Sequence, residues 1–262
     1  MILAIDAGNT TIVIGCIEGD EVLFMERLTT KLKRTRTEFT IDIKSILRLH
    51  DVNEREITGA IVSSVVPQIV DDVIDSVRTL TGTEPLRVGP GIKTGLNIVI
   101  DNPAQLGSDL LADGVAAAAR YGTPVIVIDM GTATTLSVID EGNKYLGGII
   151  LTGVVTSFDA LVANTSLLQS VSIEEPGSVL GKNTIDCLKS GLIYGNASTM
   201  DSLIDRIEQE MGRSMTIVAT GGLAGKIIPS CRHDIILDEE LLIYGLKLLY
   251  DKNSYKNRPE HL

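Results

Sequence analysis

The feature that most constrains the fold is a pattern that occurs twice along the chain. A run of branched apolar residues ends in an aspartate, small residues including a glycine follow, and an apolar–polar alternation then resumes. The copies lie at residues 2–14 (ILAIDAGNTTIVI) and 125–140 (VIVIDMGTATTLSVID). Asp6 and Asp129 hold equivalent places, 129 − 6 = 123 residues apart. Because this is an ordinary domain length, the sequence predicts two similar domains.

The elements around the two copies follow the same order: a three-stranded meander, then a helix, a strand and a helix. In the first half we predict strands at 2–6, 11–17, 21–28, 57–63 and 86–88, and helices at 38–49 and 67–80. In the second half we predict strands at 125–129, 134–139, 144–151 and 215–219, and helices at 155–163, 184–209, 223–227 and 238–251, the last with Asp238 as its N-cap. A helix at 106–121 joins the halves. We therefore expect an α/β fold with domains at 1–122 and 123–262 and a ligand cleft between them.

Charge and hydropathy narrow the classes of function. A net charge of −11 argues against a general nucleic-acid binder, which needs lysine and arginine for phosphate contacts. The basic run at 31–36 (KLKRTR) is the local exception; such runs are usually solvated loops, and this one also fits a flap near an anionic ligand. No apolar run approaches the roughly 20 residues of a membrane span, and no signal-peptide pattern opens the chain. We expect a cytoplasmic protein without a membrane partner.

The repeated turn is suited to binding phosphate. Glycine lets the backbone turn tightly, and backbone N–H groups and threonine hydroxyls then point at anionic oxygens. The carboxylate of Asp6 or Asp129 would repel phosphate directly, but it can hold Mg²⁺, which bridges to phosphate. Two such turns facing each other would hold the β- and γ-phosphates of ATP. Ordinary hairpins also contain Asp-Gly turns, and a single copy would favour that interpretation.

A third glycine motif supports the phosphate interpretation. Residues 217–224 (IVATGGLA) predict a strand that runs into Gly221-Gly222 and then a helix. Such a turn permits close approach of a flat or anionic group, and the helix N-terminus adds positive partial charge. A flexible turn between strand and helix is the alternative.

Together these elements resemble the acetate kinase, sugar kinase, Hsc70 and actin superfamily, with two ribonuclease-H-like (actin-like) domains. Within it the chain resembles type III pantothenate kinases from its first residues to about Asn253. The motifs that carry the resemblance are DAGNT (6–10), SSVVP (63–67), NPAQLGSD (102–109), DMGTATT (129–135), GGIILTG (147–153), GKNT (181–184), SGLIYG (190–195) and ATGGLA (219–224).

The resemblance implies ATP-dependent phosphorylation of pantothenate, the first step toward coenzyme A, by a homodimer that needs Mg²⁺ and a monovalent cation, K⁺ or NH₄⁺. It implies that Asp109 is the catalytic base, that Asp6 organises Mg²⁺ and that Asp129 lies by the monovalent cation. The phosphate and nucleotide contacts it implies are Gly8, Asn9, Thr10, Gly131, Thr132, Thr134, Gly221 and Gly222. The pantothenate contacts it implies are Gly107, Ser108, Ile100 and Thr184.

Three positions depart from the family pattern. Leu110 stands where the family has an arginine that contacts the pantothenate carboxylate, a charge-assisted interaction worth about 1.5–3 kcal/mol. Ile100 replaces a frequent tyrosine, and Thr152-Gly153 replaces Pro-Gly. Lys93, Lys182 and Arg120 are candidate replacements for the missing cation. The alternatives are a weak or silent nucleotide-binding or regulatory homologue, or a kinase for another small acid.

Overall fold

The computed structural model describes residues 1–254, and the chain divides into two compact units. Of the described residues, unit 1 contains Met1–Leu96, Asp101–Ala116 and 240–254. Unit 2 contains Asn97–Ile100 and Ala117–Glu239.

Unit 1 is built on a five-stranded sheet in the order β3-β2-β1-β4-β5. Its strands are β1 (Ile2–Ala7), β2 (Thr11–Glu18), β3 (Glu21–Thr29), β4 (Gly59–Ser64) and β5 (Leu86–Arg87). Its helices are α1 (Arg36–Leu49), α2 (Pro67–Thr81), most of α3 (Ser108–Tyr121) and α8 (Leu241–Ser254). The inward residues of β1, β2 and β4 pack against the buried faces of α1 and α2 in one apolar core.

Unit 2 repeats this plan in a six-stranded sheet in the order β11-β10-β7-β8-β9-β6. Its strands are β6 (Asn97–Ile98), β7 (Val125–Met130), β8 (Ala133–Asp140), β9 (Lys144–Thr152), β10 (Thr216–Thr220) and β11 (Ile236–Leu237). Its helices are α4 (Val154–Ala163), α5 (Thr184–Ser190), α6 (Asn196–Met211) and α7 (Ala224–Ile227). A second core joins the sheet to α4, α6 and α7.

The repeat extends to the register of the strands. In unit 1, Asp6 lies opposite Val13 of antiparallel β2 and Ser63 of parallel β4. In unit 2, Asp129 lies opposite Thr135 of antiparallel β8 and Thr220 of parallel β10. Each aspartate therefore occupies the central strand of an equivalent three-strand set, near the strand's carboxyl end. The predicted duplication is confirmed at this level.

Two predicted helices needed correction. The helix predicted at 184–209 is interrupted: α5 ends at Ser190, a π-helical segment spans Gly191–Gly195, and α6 begins at Asn196. The hydrophobic period alone does not register the wider π turn. The last helix begins at Leu241, so Asp238 is not its N-cap; the Asp238 carboxylate instead accepts hydrogen bonds from Arg120 and Tyr121.

The last helix also belongs to a different unit from the one that chain order suggests. Inside unit 1, the Lys247 ammonium on α8 donates to Asp20 at 2.7 Å, and the Asn253 amide bonds the backbone of Lys93 at 2.9 Å. The division by contacts thus differs from the predicted boundary at residue 122. No helix within residues 1–254 has both the length and the apolar character that a membrane crossing requires.

Candidate active site

The first turn of the repeat is fixed by hydrogen bonds from its own strand and from the end of β3. The Gly8 N–H donates to the Thr11 carbonyl at 3.0 Å. Thr30 donates twice, from its hydroxyl to the Gly8 carbonyl at 2.7 Å and from its backbone to the Thr10 carbonyl at 2.9 Å. Asp6 is buried just before the turn, whereas Asn9 and Thr10 are exposed. The turn therefore offers polar groups to a ligand from a rigid support.

A serine pair ties the start of α3 to the strand beside Asp6. The hydroxyl of Ser63, which is fully buried on β4 opposite Asp6, donates to the Ser108 hydroxyl at 2.8 Å. Because Asp109 follows Ser108 in the first turn of α3, unit 1 brings Asp6 and Asp109 to the same end of its sheet. Ser63 and Thr30 were not predicted as site residues; the SSVVP motif signalled the former, and nothing in the sequence signalled the latter.

Gly107 leaves room for the Asp109 carboxylate. The Asp109 Oδ1 accepts the N–H of Leu110 at 2.9 Å, which turns the side chain back toward Gly107. A Cβ on Gly107 would overlap this same oxygen. Within the consecutive predicted residues Gly107, Ser108 and Asp109, the structure thus packs the Asp109 carboxylate against Gly107.

The second turn is also closed by a hydrogen bond from its glycine. The Gly131 N–H donates to the Ala133 carbonyl at 2.9 Å, one residue tighter than the bond from Gly8 to Thr11 in unit 1. The Thr132 carbonyl accepts the Gly153 N–H at 3.2 Å and the Thr156 hydroxyl at 2.9 Å. These bonds hold the turn against the start of α4.

Two buried hydroxyls beside the second turn have no hydrogen-bond partner among residues 1–254. The Oγ1 atoms of Thr134 and Thr135 are enclosed, yet neither has a hydrogen bond within the described residues. A buried hydroxyl without a hydrogen bond lowers stability by about 1–3 kcal/mol, so such a group usually bonds to a ligand, an ion or water. Thr135 is also the direct cross-strand neighbour of Asp129. Side chains of directly paired residues share one face of a sheet, so the Asp129 carboxylate and the Thr135 hydroxyl offer oxygen ligands that fit a cation.

Gly221 lies directly against the Asp129 carboxylate. Its φ of +96° belongs to the left-handed region, and a Cβ there would come within 2.5 Å of Asp129 Oδ1 and 2.6 Å of the Met130 nitrogen. The Leu223 N–H then donates to the Met130 carbonyl at 3.4 Å. Unit 2 therefore joins the ATGGLA turn to the DMGTATT turn, and Gly222 beside it has open space around its Cα.

The remaining predicted substrate residues lie elsewhere in unit 2. Ile100 is half-buried beside Gly147, whose Cβ would be 3.9 Å from the isoleucine side chain. Thr184 is exposed at the first position of α5, where Asn183 caps the helix. The structure forms no hydrogen bond, among the residues it describes, between either residue and the other predicted site residues.

Of the three candidate cations, Arg120 already forms an ion pair within the protein. Its guanidinium donates to the buried Asp238 carboxylate at 2.8 Å. Lys93 and Lys182 are exposed, and within residues 1–254 neither side chain forms an ion pair. Lys182 lies two positions before Thr184 in the GKNT motif. The lysines are thus better placed than Arg120 to meet a ligand carboxylate.

No cluster of three or more histidine, cysteine, aspartate or glutamate side chains in the described part of the chain is arranged to hold a metal ion. Cys16, Cys187 and Cys231 are free thiols. Burial raises the pKa of Cys16 to about 11 and that of Cys231 to about 12, so both stay protonated at neutral pH. Cys16 and Cys231 are therefore poorly suited to act as nucleophiles.

Comparison with known proteins decides the family. The family model described as type III pantothenate kinase matches residues 2–206. The chain belongs to the type III pantothenate kinase family. It is 42% identical over 253 residues to a member of this family from Bifidobacterium animalis subsp. lactis, and 37% identical over 254 residues to one from Moorella thermoacetica. Each match covers 97% of this chain and 100% of the relative.

Solved structures share the fold at low identity. Component A of (R)-2-hydroxyglutaryl-CoA dehydratase from Acidaminococcus fermentans has a TM-score of 0.57 at 14% identity, with 98% of this chain and 99% of that one covered. The activator of 2-hydroxyisocaproyl-CoA dehydratase from Clostridium difficile has a TM-score of 0.54 at 9% identity, with 100% and 98% covered. These likenesses show the fold alone. They agree with the expected α/β fold of two ribonuclease-H-like (actin-like) domains.

Proposed function

We propose that this protein transfers the γ-phosphoryl group of ATP to pantothenate and forms 4′-phosphopantothenate, the first step toward coenzyme A. The single observation that carries the proposal is the family match over nearly four fifths of the chain. The paired turns support it, because each presents the backbone and hydroxyl donors that phosphate oxygens require.

In unit 1, we assign Gly8, Asn9 and Thr10 to phosphate oxygens and Asp6 to Mg²⁺. The exposure of Asn9 and Thr10 suits this role, since the Thr30 bonds hold the turn without using their side chains. When bound, Mg²⁺ neutralises charge on the phosphates and orients them. Because Mg²⁺ usually keeps several of its waters, we expect Asp6 to contact it through water.

In unit 2, we assign Gly131, Thr132 and Thr134 to phosphate oxygens, Gly221 and Gly222 to the nucleotide, and Asp129 to a monovalent cation, K⁺ or NH₄⁺. The unpartnered Thr134 hydroxyl supports the assignment of this turn. The close packing of Gly221 on Asp129 supports a role in which the carboxylate is held in one orientation.

The catalytic role falls to Asp109. Its Oδ1 is held by the Leu110 N–H, which leaves Oδ2 to orient the substrate hydroxyl and accept its proton as the bond to phosphorus forms. Because phosphoryl transfer needs little covalent chemistry from the protein, correct placement of this carboxylate is its main contribution. Gly107 permits that placement because it leaves space for Oδ1. Ser108 supports it through its hydrogen bond with Ser63.

For the pantothenate side we assign Gly107, Ser108, Ile100 and Thr184. Leu110 cannot supply a cation for the carboxylate. The exposed Lys182 beside Thr184 is the better candidate in unit 2, and Lys93 the candidate in unit 1. We further propose that the protein acts as a homodimer, as the family resemblance implies.

The decisive experiment incubates the protein with ATP, Mg²⁺, K⁺ and pantothenate and detects phosphopantothenate by mass. Asp109→Asn should lower kcat by about 10²–10⁴-fold while the melting temperature stays within a few degrees, because only the proton acceptor is lost. Asp71→Asn is the matched control, since its side chain is 87% exposed on α2. Unchanged turnover in Asp109→Asn would remove the assigned base. ATP binding without product in the wild type would favour the silent, regulatory alternative.

A further inference from the structure

The basic segment, residues 31–36 (KLKRTR), has no role in the site described so far. It follows β3 and leads into α1. Four of its six residues are cationic, although the net charge of the whole chain is −11. Its position in unit 1 suggests a function.

The basic segment begins beside the first phosphate turn. In the β2–β3 pair, Thr29 lies opposite Thr11, so the carboxyl end of β3 and the start of β2 meet at the same edge of the sheet. The next residue, Thr30, makes both of its hydrogen bonds to carbonyls of the Gly8–Thr10 turn. Lys31 is therefore one residue from direct contact with that turn.

The segment is also fixed at its other end. The Arg34 N–H donates to the Lys31 carbonyl at 3.2 Å and closes a tight turn. The Arg34 guanidinium pairs with Asp42 and lies 5.4 Å from the centre of the Phe39 ring. Thr35 then caps α1 in a capping box with Glu38. Arg34 is thus occupied, whereas Lys31 and Lys33 are exposed and form no ion pair within residues 1–254.

The placement of these charges is locally unfavourable. Cations are disfavoured near the N-terminus of a helix, where the macrodipole is positive, and acidic residues are favoured there. The basic segment immediately precedes α1, and Arg36 occupies the first helical position. Glu38 compensates part of this charge. Residues that break a local rule in this way are expected at functional or strained sites.

We propose that Lys31 and Lys33 bind the polyphosphate of the nucleotide held at the Gly8–Thr10 turn. The inference rests on the proposed function, because it takes that turn as a phosphate site. The turn itself (DAGNTT) has no basic residue, so its donors are neutral. A lysine adds a mobile full charge on a four-carbon stem, which suits a phosphate whose charge changes during transfer.

The test measures MgATP affinity directly, by titration calorimetry on the full-length protein. Lys31→Gln and Lys33→Gln should each weaken binding by about threefold, and the double variant by about tenfold, as expected for solvent-exposed ion pairs. Lys31→Arg should retain most of the wild-type affinity for MgATP. Lys44→Gln is the matched control, because it removes an exposed lysine of α1 whose partner is Glu54. It should leave the affinity unchanged.

Steady-state kinetics then separate the possible ligands. We expect KM for ATP to rise in the double variant, with KM for pantothenate unchanged and a weaker dependence of KM for ATP on salt. A rise in KM for pantothenate alone would overturn the inference in favour of the carboxylate. Equal MgATP affinity in wild type and double variant would also overturn it. If the wild type makes no phosphopantothenate, the proposed function fails, but the calorimetric comparison still decides the role of the lysines.

Discussion

At the scale of single residues, the site depends on what the glycines leave open. Gly221 has a positive φ and no room for a methyl group, because its Cα lies against the Asp129 carboxylate and the Met130 backbone. The sequence indicated close approach at Gly221-Gly222 but could not identify the approaching group. That group is the side chain of Asp129, 92 residues earlier in the same unit (221 − 129 = 92). Only the parallel β7–β10 register, in which Asp129 pairs with Thr220, reveals it.

Gly221→Ala should therefore lower both stability and activity. The positive φ costs an alanine about 1 kcal/mol, and the collision with Asp129 and Met130 adds a backbone shift. We expect a melting temperature several degrees below wild type and a clear loss of kcat. Gly222→Ala is the control for stability, since a Cβ there meets nothing within 4 Å. Equal melting temperatures for the two variants would contradict the packing described for Gly221.

At the scale of elements, helix α1 links the basic segment to the core through its cap. The Thr35 N–H donates to the Glu38 carboxylate at 2.8 Å, and the Glu38 N–H donates to the Thr35 hydroxyl at 3.4 Å. The hydrogen bond from the Thr35 N–H, and then a second one from the Thr35 hydroxyl to the same carboxylate, lower the pKa of Glu38. A lowered carboxyl pKa contributes stability above its unfolded value and loses it as pH falls.

Thr35→Ala should reduce the free energy of unfolding by about 1 kcal/mol at pH 7, the usual cost of losing a threonine cap. The difference from wild type should begin to shrink as the pH falls below the ordinary glutamate pKa of about 4.3 and continue to shrink through the lowered pKa of the folded wild type, because protonation of Glu38 removes its contribution. Urea unfolding at pH 7 and pH 3.5 measures both values. Thr37→Ala, at an exposed position in the same helix, should not destabilise. A larger loss in Thr37→Ala than in Thr35→Ala would refute the cap.

The predicted elements also show where sequence patterns stop being informative. The strands β1, β2, β7 and β8 were predicted to within one residue at either end, because each is a short, almost continuously buried run bounded by turn residues. The interruption between α5 and α6 was missed, since a π segment keeps the residues helical. Asp238 was assigned to a cap because aspartate before an apolar helix usually is one. Its real partners, Arg120 and Tyr121, lie more than 110 residues away.

At the scale of the whole molecule, the duplicated motif predicts two similar units. Only long-range contacts show which of the two contains the last helix, α8. Helix α8 follows unit 2 in the chain but joins unit 1, where Lys247 pairs with Asp20 and Asp251. Burial works to lower the pKa of Lys247, yet the bonds to these two carboxylates outweigh it and raise the pKa. No local pattern around residue 247 predicts a partner at residue 20.

Each unit therefore contains a side chain whose protonated form stabilises the fold and is lost at alkaline pH. In unit 2, burial first, and then the hydrogen bond to Asp238 and its charge, raise the pKa of Tyr121 above the ordinary value of about 10. For Tyr121, as for Lys247, a folded-state pKa above the unfolded one means stability that is complete below the unfolded pKa and lost as pH rises through the folded one. The wild type should lose melting temperature steeply above pH 10.

Tyr121→Phe isolates one of these contributions. At pH 7 the variant loses the 2.9 Å hydrogen bond to Asp238 and should unfold with about 1 kcal/mol less free energy, while the Arg120–Asp238 bond remains. Between pH 9.5 and 11.5 its melting temperature should fall less than that of the wild type, because no phenol remains to ionise beside the carboxylate. Calorimetric scans of both proteins across this range measure the difference. Parallel curves would mean that Tyr121 ionises equally in the folded and unfolded states and does not contribute to the alkaline loss.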